Sequence, residues 1–188
     1  MTVPIPSRVP AGAMPEGDGI VVGDGPVPVD VYIDFLCPFC QRFELSAGPA
    51  LAAMVIDHRI GIAYHPMNFL DQASTTRYST RAAASSGCAA DQDRFMDYMH
   101  ALFVNQPPEG SAGLSDAELA AAGESVGLGP AFASCVTEGA YLDWPPYVTA
   151  RALAAGVEAT PTVLVAGMPV PAESEAIAVA VEQVAAQR

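Results

Sequence analysis

Lysine is absent from this chain: its few basic side chains, eight in all, are arginines, set against 21 aspartates and glutamates for a net charge of -13. That absence excludes a Schiff-base lysine and a Walker lysine. The shortage of positive charge argues against nucleic acid and anionic membrane surfaces, whose phosphates would be repelled. No run approaches the roughly 18–20 apolar residues that a membrane-spanning helix needs. The opening Met1-Thr2-Val3-Pro4-Ile5-Pro6 lacks the basic start and apolar stretch of a secretory leader. At face value the expected compartment is therefore the cytoplasm, with a cell-envelope protein whose leader has been removed as the alternative. Cysteine is scarce too, at four residues, and tryptophan occurs once. What is plentiful is apolar surface: 51% hydrophobic and 15% charged residues make an ordinary globular chain, long enough for one domain or one domain with an insertion.

Two of the four cysteines stand together in Cys37-Pro38-Phe39-Cys40. They follow the apolar run Val31-Tyr32-Ile33-Asp34-Phe35-Leu36, which reads as the end of a buried strand over 28–36. Gln41 onward reads as a helix over about 38–57, with Pro49 inside it as a source of a kink. A cysteine at a strand-to-helix junction lies over unpaired backbone N–H groups and the positive end of the helix dipole, which favour thiolate over thiol. Pro38 suits the first helical position. A thiol so placed has its pKa lowered to roughly 3.5–7.5 from about 8.5, and the thiolate is the nucleophile of disulfide exchange. Cys37 is expected to lie bare at the helix head, with Cys40 one turn on to close the ring. The competing reading, half of a structural zinc site, needs two more ligands nearby.

Residues 1–18, punctuated by prolines, read as an extended N-terminal arm. A short strand is expected at 19–22 and another at 59–64, ended by His65-Pro66. From about 73 to 155 the pattern turns helical and alanine-rich. Phe95, Met99, Leu102 and Phe103 share one helix face. Ser115-Asp116-Ala117-Glu118 forms a capping box for a helix ended by Gly127. Phe132, Cys135 and Val136 mark the inner face of a helix after Pro130, and a further helix runs from Tyr147 to Ala155. Strands return at 162–165 and near Pro169-Val170. A last helix from about Ala172 buries Ile177, Val181 and Val184. The fold class is α/β, split by a helical insertion.

Thr160-Pro161-Thr162, just before the late strand, is the second anchor. A proline opening a central strand is unusual unless its missing N–H faces something other than a neighbouring strand. Together with Cys-Pro-Phe-Cys, this arrangement resembles the thioredoxin superfamily, in which a cis-proline faces the active-site disulfide. The long separation between the two motifs resembles DsbA, whose helical domain is inserted there. The stretch Phe95-Met96-Asp97-Tyr98-Met99-His100-Ala101-Leu102-Phe103, closed by Asn105-Gln106, is similar to DsbA-like sequences, especially actinobacterial ones.

The resemblance implies a thioredoxin-like domain over 19–72 and 156–188, a helical insertion over 73–155, and thiol–disulfide exchange with client proteins. It implies catalysis by Cys37 and Cys40, and client binding by Thr160, Pro161, Pro38 and Phe39. No metal or organic cofactor is called for, since the electrons sit on the two sulfurs. The redox partner would be a vitamin K epoxide reductase-like membrane protein if the chain is exported. In the cytoplasm it would be thioredoxin or a low-molecular-weight thiol. Cys88 and Cys135 resemble a structural disulfide of some actinobacterial relatives; two buried thiols or a shuttling pair are the alternatives. Such a bridge would close a loop of about 48 residues, for which the chain-entropy treatment gives roughly 4 kcal/mol.

Two departures from the family stand out. The buried acid six residues before the nucleophile is replaced by Val31, and strand alternation sets Asp34 on the opposite face. Proton handling at Cys40 is then left to water or another group. The dipeptide is Pro-Phe rather than Pro-His, which implies a higher Cys37 pKa and a less oxidising couple, so a reductase or isomerase is the alternative. A non-catalytic peptide-binding module on the same fold is the reading from another class. His65 and His100 are read as structural, and Trp144 as either groove-facing or packed.

Overall fold

The computed structural model describes residues 5–187. Among the described residues, five strands and seven α-helices follow in the order β1 (Ile20–Val22), β2 (Val27–Ile33), α1 (Pro38–Ile56), β3 (Ile60–Pro66), α2 (Tyr78–Ala90), α3 (Phe95–Val104), α4 (Asp116–Ser125), α5 (Pro130–Thr137), α6 (Trp144–Ala154), β4 (Thr162–Val165), β5 (Met168–Val170) and α7 (Ser174–Ala185). The sheet order is β1-β3-β2-β4-β5. β2 and β3 run parallel, a pairing that requires a crossover and receives it from α1. The other neighbours are antiparallel. β2 is central, and its Val27, Val29, Val31 and Ile33 are buried. Buried Phe43, Ala47, Leu51 and Met54 form the inner face of α1, and Ile177 and Val181 that of α7.

The expected strand over 28–36 ends instead at Ile33. Asp34 stops it: its side-chain oxygen accepts the Leu36 N–H at 2.9 Å, and its carbonyl accepts the Cys37 N–H at 3.0 Å. This is the local turn chemistry that aspartate offers its own backbone. Phe35 and Leu36 are fully buried all the same, so the apolar run signals burial beyond the end of the strand.

Between β3 and β4 every described element is helical. The capping box at Ser115 and Glu118 is present in full, and Phe95, Met99, Leu102 and Phe103 are buried together. α6 starts at Trp144, three residues before the expected point, because Pro145 and Pro146 fall in a first turn that needs no N–H donors. Trp144 is buried and donates its indole N–H to the Gly17 carbonyl at 2.8 Å, which settles it as a packing residue.

Of the expected arm over 1–18, residues 1–4 lie outside the described residues. The remainder is a strap, not an extended arm. The Ser7 and Ala11 N–H groups donate to Asp143 and Asp91, Arg8 pairs with Asp91, and Arg151 holds Asp18. Its turns hold a bridge between Ala13 and Ile20. The prolines limit regular structure without preventing docking: Pro6 and Pro10 are themselves buried.

Candidate active site

Cys37 is the N-cap of α1, with Pro38 in the first turn. Its thiol donates to the Thr160 carbonyl at 3.3 Å, and the Thr160–Pro161 peptide bond is cis. β4 begins pairing with β2 at Thr162, so Thr160 and Pro161 lie on the loop that faces the helix head. Cys37, Cys40, Thr160 and Pro161 are thus brought to one place from two distant parts of the chain. Both Cys37 and Cys40 are free thiols.

The two thiols differ in ionisation. The Cys37 thiol is pulled down to about 6, chiefly by its hydrogen bond with the Cys40 thiol. The Thr160 side chain and the first-turn N–H groups of Cys40 and Phe39 add to this, against the opposing effect of burial. Burial, and then the bond and charge of Cys37, push Cys40 well above the usual thiol range. The Asp34 N–H points at the Cys40 sulfur, 3.5 Å away.

Contrary to expectation, Cys37 is covered, with 4% of its surface exposed. The Thr160 loop lies over the sulfur, so accessibility here depends on neighbours that a sequence motif does not contain. Phe39, 59% exposed, is the outward face of the motif; the Arg42 guanidinium lies 4.5 Å from the centre of its ring. Phe39, Arg42, Phe43, Ser46, Thr160 and Pro161 line an open groove of about 680 Å³ that continues to Ala172 and Glu173.

Two side chains that the sequence does not single out, Gln106 and Gln41, hold the centre in place, together with Asp34, which strand alternation sets on the opposite face from Val31. Gln106 Nε2 donates to the carbonyls of Phe35 and Cys37 at 2.9 and 3.0 Å. Gln41 Nε2 donates to the Phe103 carbonyl at 2.7 Å, which ties α1 to the end of α3. Asp34 is completely buried. The sequence shows Gln106 only as the last residue of the DsbA-like stretch, and the carbonyls it binds lie about 70 residues away along the chain.

Cys88 of α2 and Cys135 of α5 are joined by a disulfide. His65 is buried on β3, its ring nitrogens 2.7 Å from the Asp18 carbonyl and 3.1 Å from Asp30. His100 pairs with Glu44 at 3.3 Å. Neither histidine is a neighbour of the two thiols in these contacts. Among the described residues, no cluster of three or more His, Cys, Asp or Glu side chains could hold a metal ion, and no helix is long and apolar enough to cross a membrane.

A family model described as Thioredoxin matches residues 16–183. Among curated proteins, the serine/threonine-protein kinase PknE of Mycobacterium tuberculosis is 37% identical over 134 residues, which cover 66% of this chain and 24% of the kinase. This chain therefore spans about a quarter of the curated relatives it matches. Among solved structures, the reduced disulfide bond oxidoreductase DsbG of M. tuberculosis is 30% identical, with a TM-score of 0.80, covering 90% of this chain and 88% of that one. The oxidised DsbA of the same organism is 32% identical, with a TM-score of 0.72, covering 81% and 84%.

Proposed function

This chain belongs to the thioredoxin family, and we propose that it exchanges disulfides with client proteins through Cys37 and Cys40, as a DsbA-like thiol–disulfide oxidoreductase. The fold is thioredoxin-like, with its sheet and helices arranged as in the DsbA and DsbG structures. We divide it into a thioredoxin-like domain, 19–72 with 156–188, and a helical insertion over 73–155. The observation that carries the function is the asymmetry of the two sulfurs. One is a thiol lowered to about 6 at a helix N-terminus, and the other is buried and held protonated.

In the oxidising direction, a client thiolate attacks Cys37 in the Cys37–Cys40 disulfide, and Cys40 leaves and takes up a proton. A second client thiolate then attacks the mixed disulfide at the client sulfur, and Cys37 departs as a thiolate. Two electrons pass from the client dithiol to the enzyme. The reverse sequence reduces a client disulfide. A thiol of low pKa leaves faster, which supports Cys37 as the sulfur joined to the client. Thr160, Pro161, Pro38 and Phe39 would hold the client chain, its backbone pairing beside Thr160 in the manner of strand addition.

A Cys37 value of about 6 lies between those of thioredoxin, about 7, and DsbA, about 3.5. It supports a couple less oxidising than DsbA. The Cys88–Cys135 bridge supports an oxidising compartment, since such bonds are rare in the cytosol. An exported protein re-oxidised by a vitamin K epoxide reductase-like membrane partner is the corresponding cycle. A cytoplasmic cycle would use thioredoxin or a low-molecular-weight thiol.

The covering of Cys37 favours one second reading, a peptide-binding module without turnover. Insulin reduction and refolding of a reduced client discriminate between the two. Exchange is expected to vanish in Cys37→Ser, and Cys40→Ser is expected to accumulate a mixed disulfide. Wild-type rates no higher than those of Cys37→Ser would leave the binding module. Equilibration with glutathione gives the direction: roughly -120 mV marks an oxidant and about -270 mV a reductant.

A further inference from the structure

The turn between β2 and α1 that carries the two thiols also holds a buried carboxylate. Asp34 is wholly inaccessible. One of its oxygens accepts the Leu36 N–H at 2.9 Å and the Ser79 hydroxyl at 2.6 Å, and the other accepts the Leu70 N–H at 2.8 Å. Its own N–H reaches the Cys40 sulfur, and its carbonyl accepts the Cys37 N–H. Among the described residues, all three donors to this carboxylate are neutral. A buried carboxylate without a cation is costly, and two of the donors come from outside the strand-to-helix turn: Leu70 from the loop after β3, and Ser79 from α2.

We propose that Asp34 is a positioning residue that sets how readily the Cys37–Cys40 centre holds negative charge, and that Ser79, on the inserted helices, controls Asp34. The inference rests on the thiol-exchange reading. Asp34 stands three residues before Cys37, and a carboxylate there opposes a second negative charge on that sulfur. Thiolate at Cys37 belongs to the reduced enzyme alone, so the carboxylate weakens the enzyme as an oxidant. The ionisable groups around it are Cys37 and Cys40 at the start of α1, and Tyr78 on α2, whose phenol is raised beyond its usual range first by burial, with Asp34 a smaller contributor. Burial also raises Asp34 itself, to about 6, against the pull of Ser79 and the two N–H groups. The carboxylate therefore changes charge close to neutrality.

The test uses the full chain and the variants Asp34→Asn and Ser79→Ala. Thiolate absorbance against pH gives the Cys37 midpoint, and glutathione equilibria give the redox balance. Asp34→Asn is expected to lower the midpoint by about half a pH unit or more, the size expected for loss of one nearby like charge. At a fixed glutathione ratio, the reduced fraction relative to oxidised should rise several-fold. Ser79→Ala removes a donor to the charged form, so it should shift both readouts the same way by a smaller amount. Unchanged midpoints and equilibria in folded variants would overturn the proposal, even if thermal stability falls. Should Asp34→Asn not fold, Ser79→Ala alone decides. Failure of the oxidoreductase reading would look different: the wild type would not exchange with glutathione, while the thiolate titration would still report on Asp34.

Discussion

At the scale of single residues, two ionisable groups act in opposite senses on stability. The Cys37 thiol is lowered from 9.0 to about 6 by the bond with Cys40 and the helix N-terminus. Between those values the unfolded reduced chain binds more protons than the folded one, so stability rises with pH. Asp34 is raised by burial from 3.8 to about 6. Across that window the folded chain binds more protons, and stability falls as pH rises. Oxidation removes the Cys37 contribution and leaves Asp34 in place. The difference in urea midpoint between reduced and oxidised protein should therefore move in favour of the reduced form from pH 6 to pH 9. A difference that stays flat over that range would mean the Cys37 thiolate is not stabilised by the fold. This asymmetry is only half legible in the sequence. Helix-start chemistry at Cys37-Pro38 is written locally, whereas the burial of Asp34 depends on Leu70 and Ser79, which the chain brings in from later segments.

At the scale of elements, most of the layout follows from local pattern. The apolar faces of α1, α3 and α7, the capping box of α4 and the alternation in β3 all concern residues a few positions apart. The errors share one cause. The apolar run through Phe35 and Leu36 reads as strand, and the proline-rich N-terminal residues as an arm, because burial by distant segments leaves no periodic mark. The turn after β2 shows what replaces the expected strand pairing. Its Phe35 carbonyl finds a donor in Gln106, just beyond α3, and its Cys37 carbonyl accepts from both Gln106 and the Gln41 N–H. Replacing Gln106 by alanine removes its donor from both carbonyls and leaves the Cys37 carbonyl with the Gln41 N–H alone. A loss of roughly 1–3 kcal/mol is expected, read by urea denaturation. Because the same turn carries Cys37 under its cover, alkylation of that thiol should also become faster at fixed pH. If stability drops while alkylation keeps its wild-type rate, Gln106 supports the fold without governing access to the sulfur.

At the scale of the whole molecule, part of the excess acid has a structural use. Asp34, Asp71, Asp91 and Asp143 each accept backbone N–H groups from other parts of the chain, which explains how carboxylates can be numerous with few cations to pair them. The helices between β3 and β4 are fastened to the sheet at several points. Ser79 of α2 reaches Asp34, the Thr149 hydroxyl of α6 accepts the Asn68 N–H, and the strap crosses to Asp91 and Asp143. The Cys88–Cys135 bridge fastens α2 to α5, a contact wholly within the helical part. Its main effect should then be on the unfolded chain, whose freedom it restricts, and not on the redox centre. Replacing both cysteines by alanine is expected to lower stability by roughly 3–4 kcal/mol, measured with Cys37 and Cys40 alkylated so that only this bridge differs. Thr80, next to Ser79, is held separately by Asp71, so that end of α2 should keep its place. The Cys37 midpoint of the unalkylated variant should then match the wild type. A shifted midpoint would instead mean that the bridge, acting through α2 and Ser79, helps to set the charge at the active site.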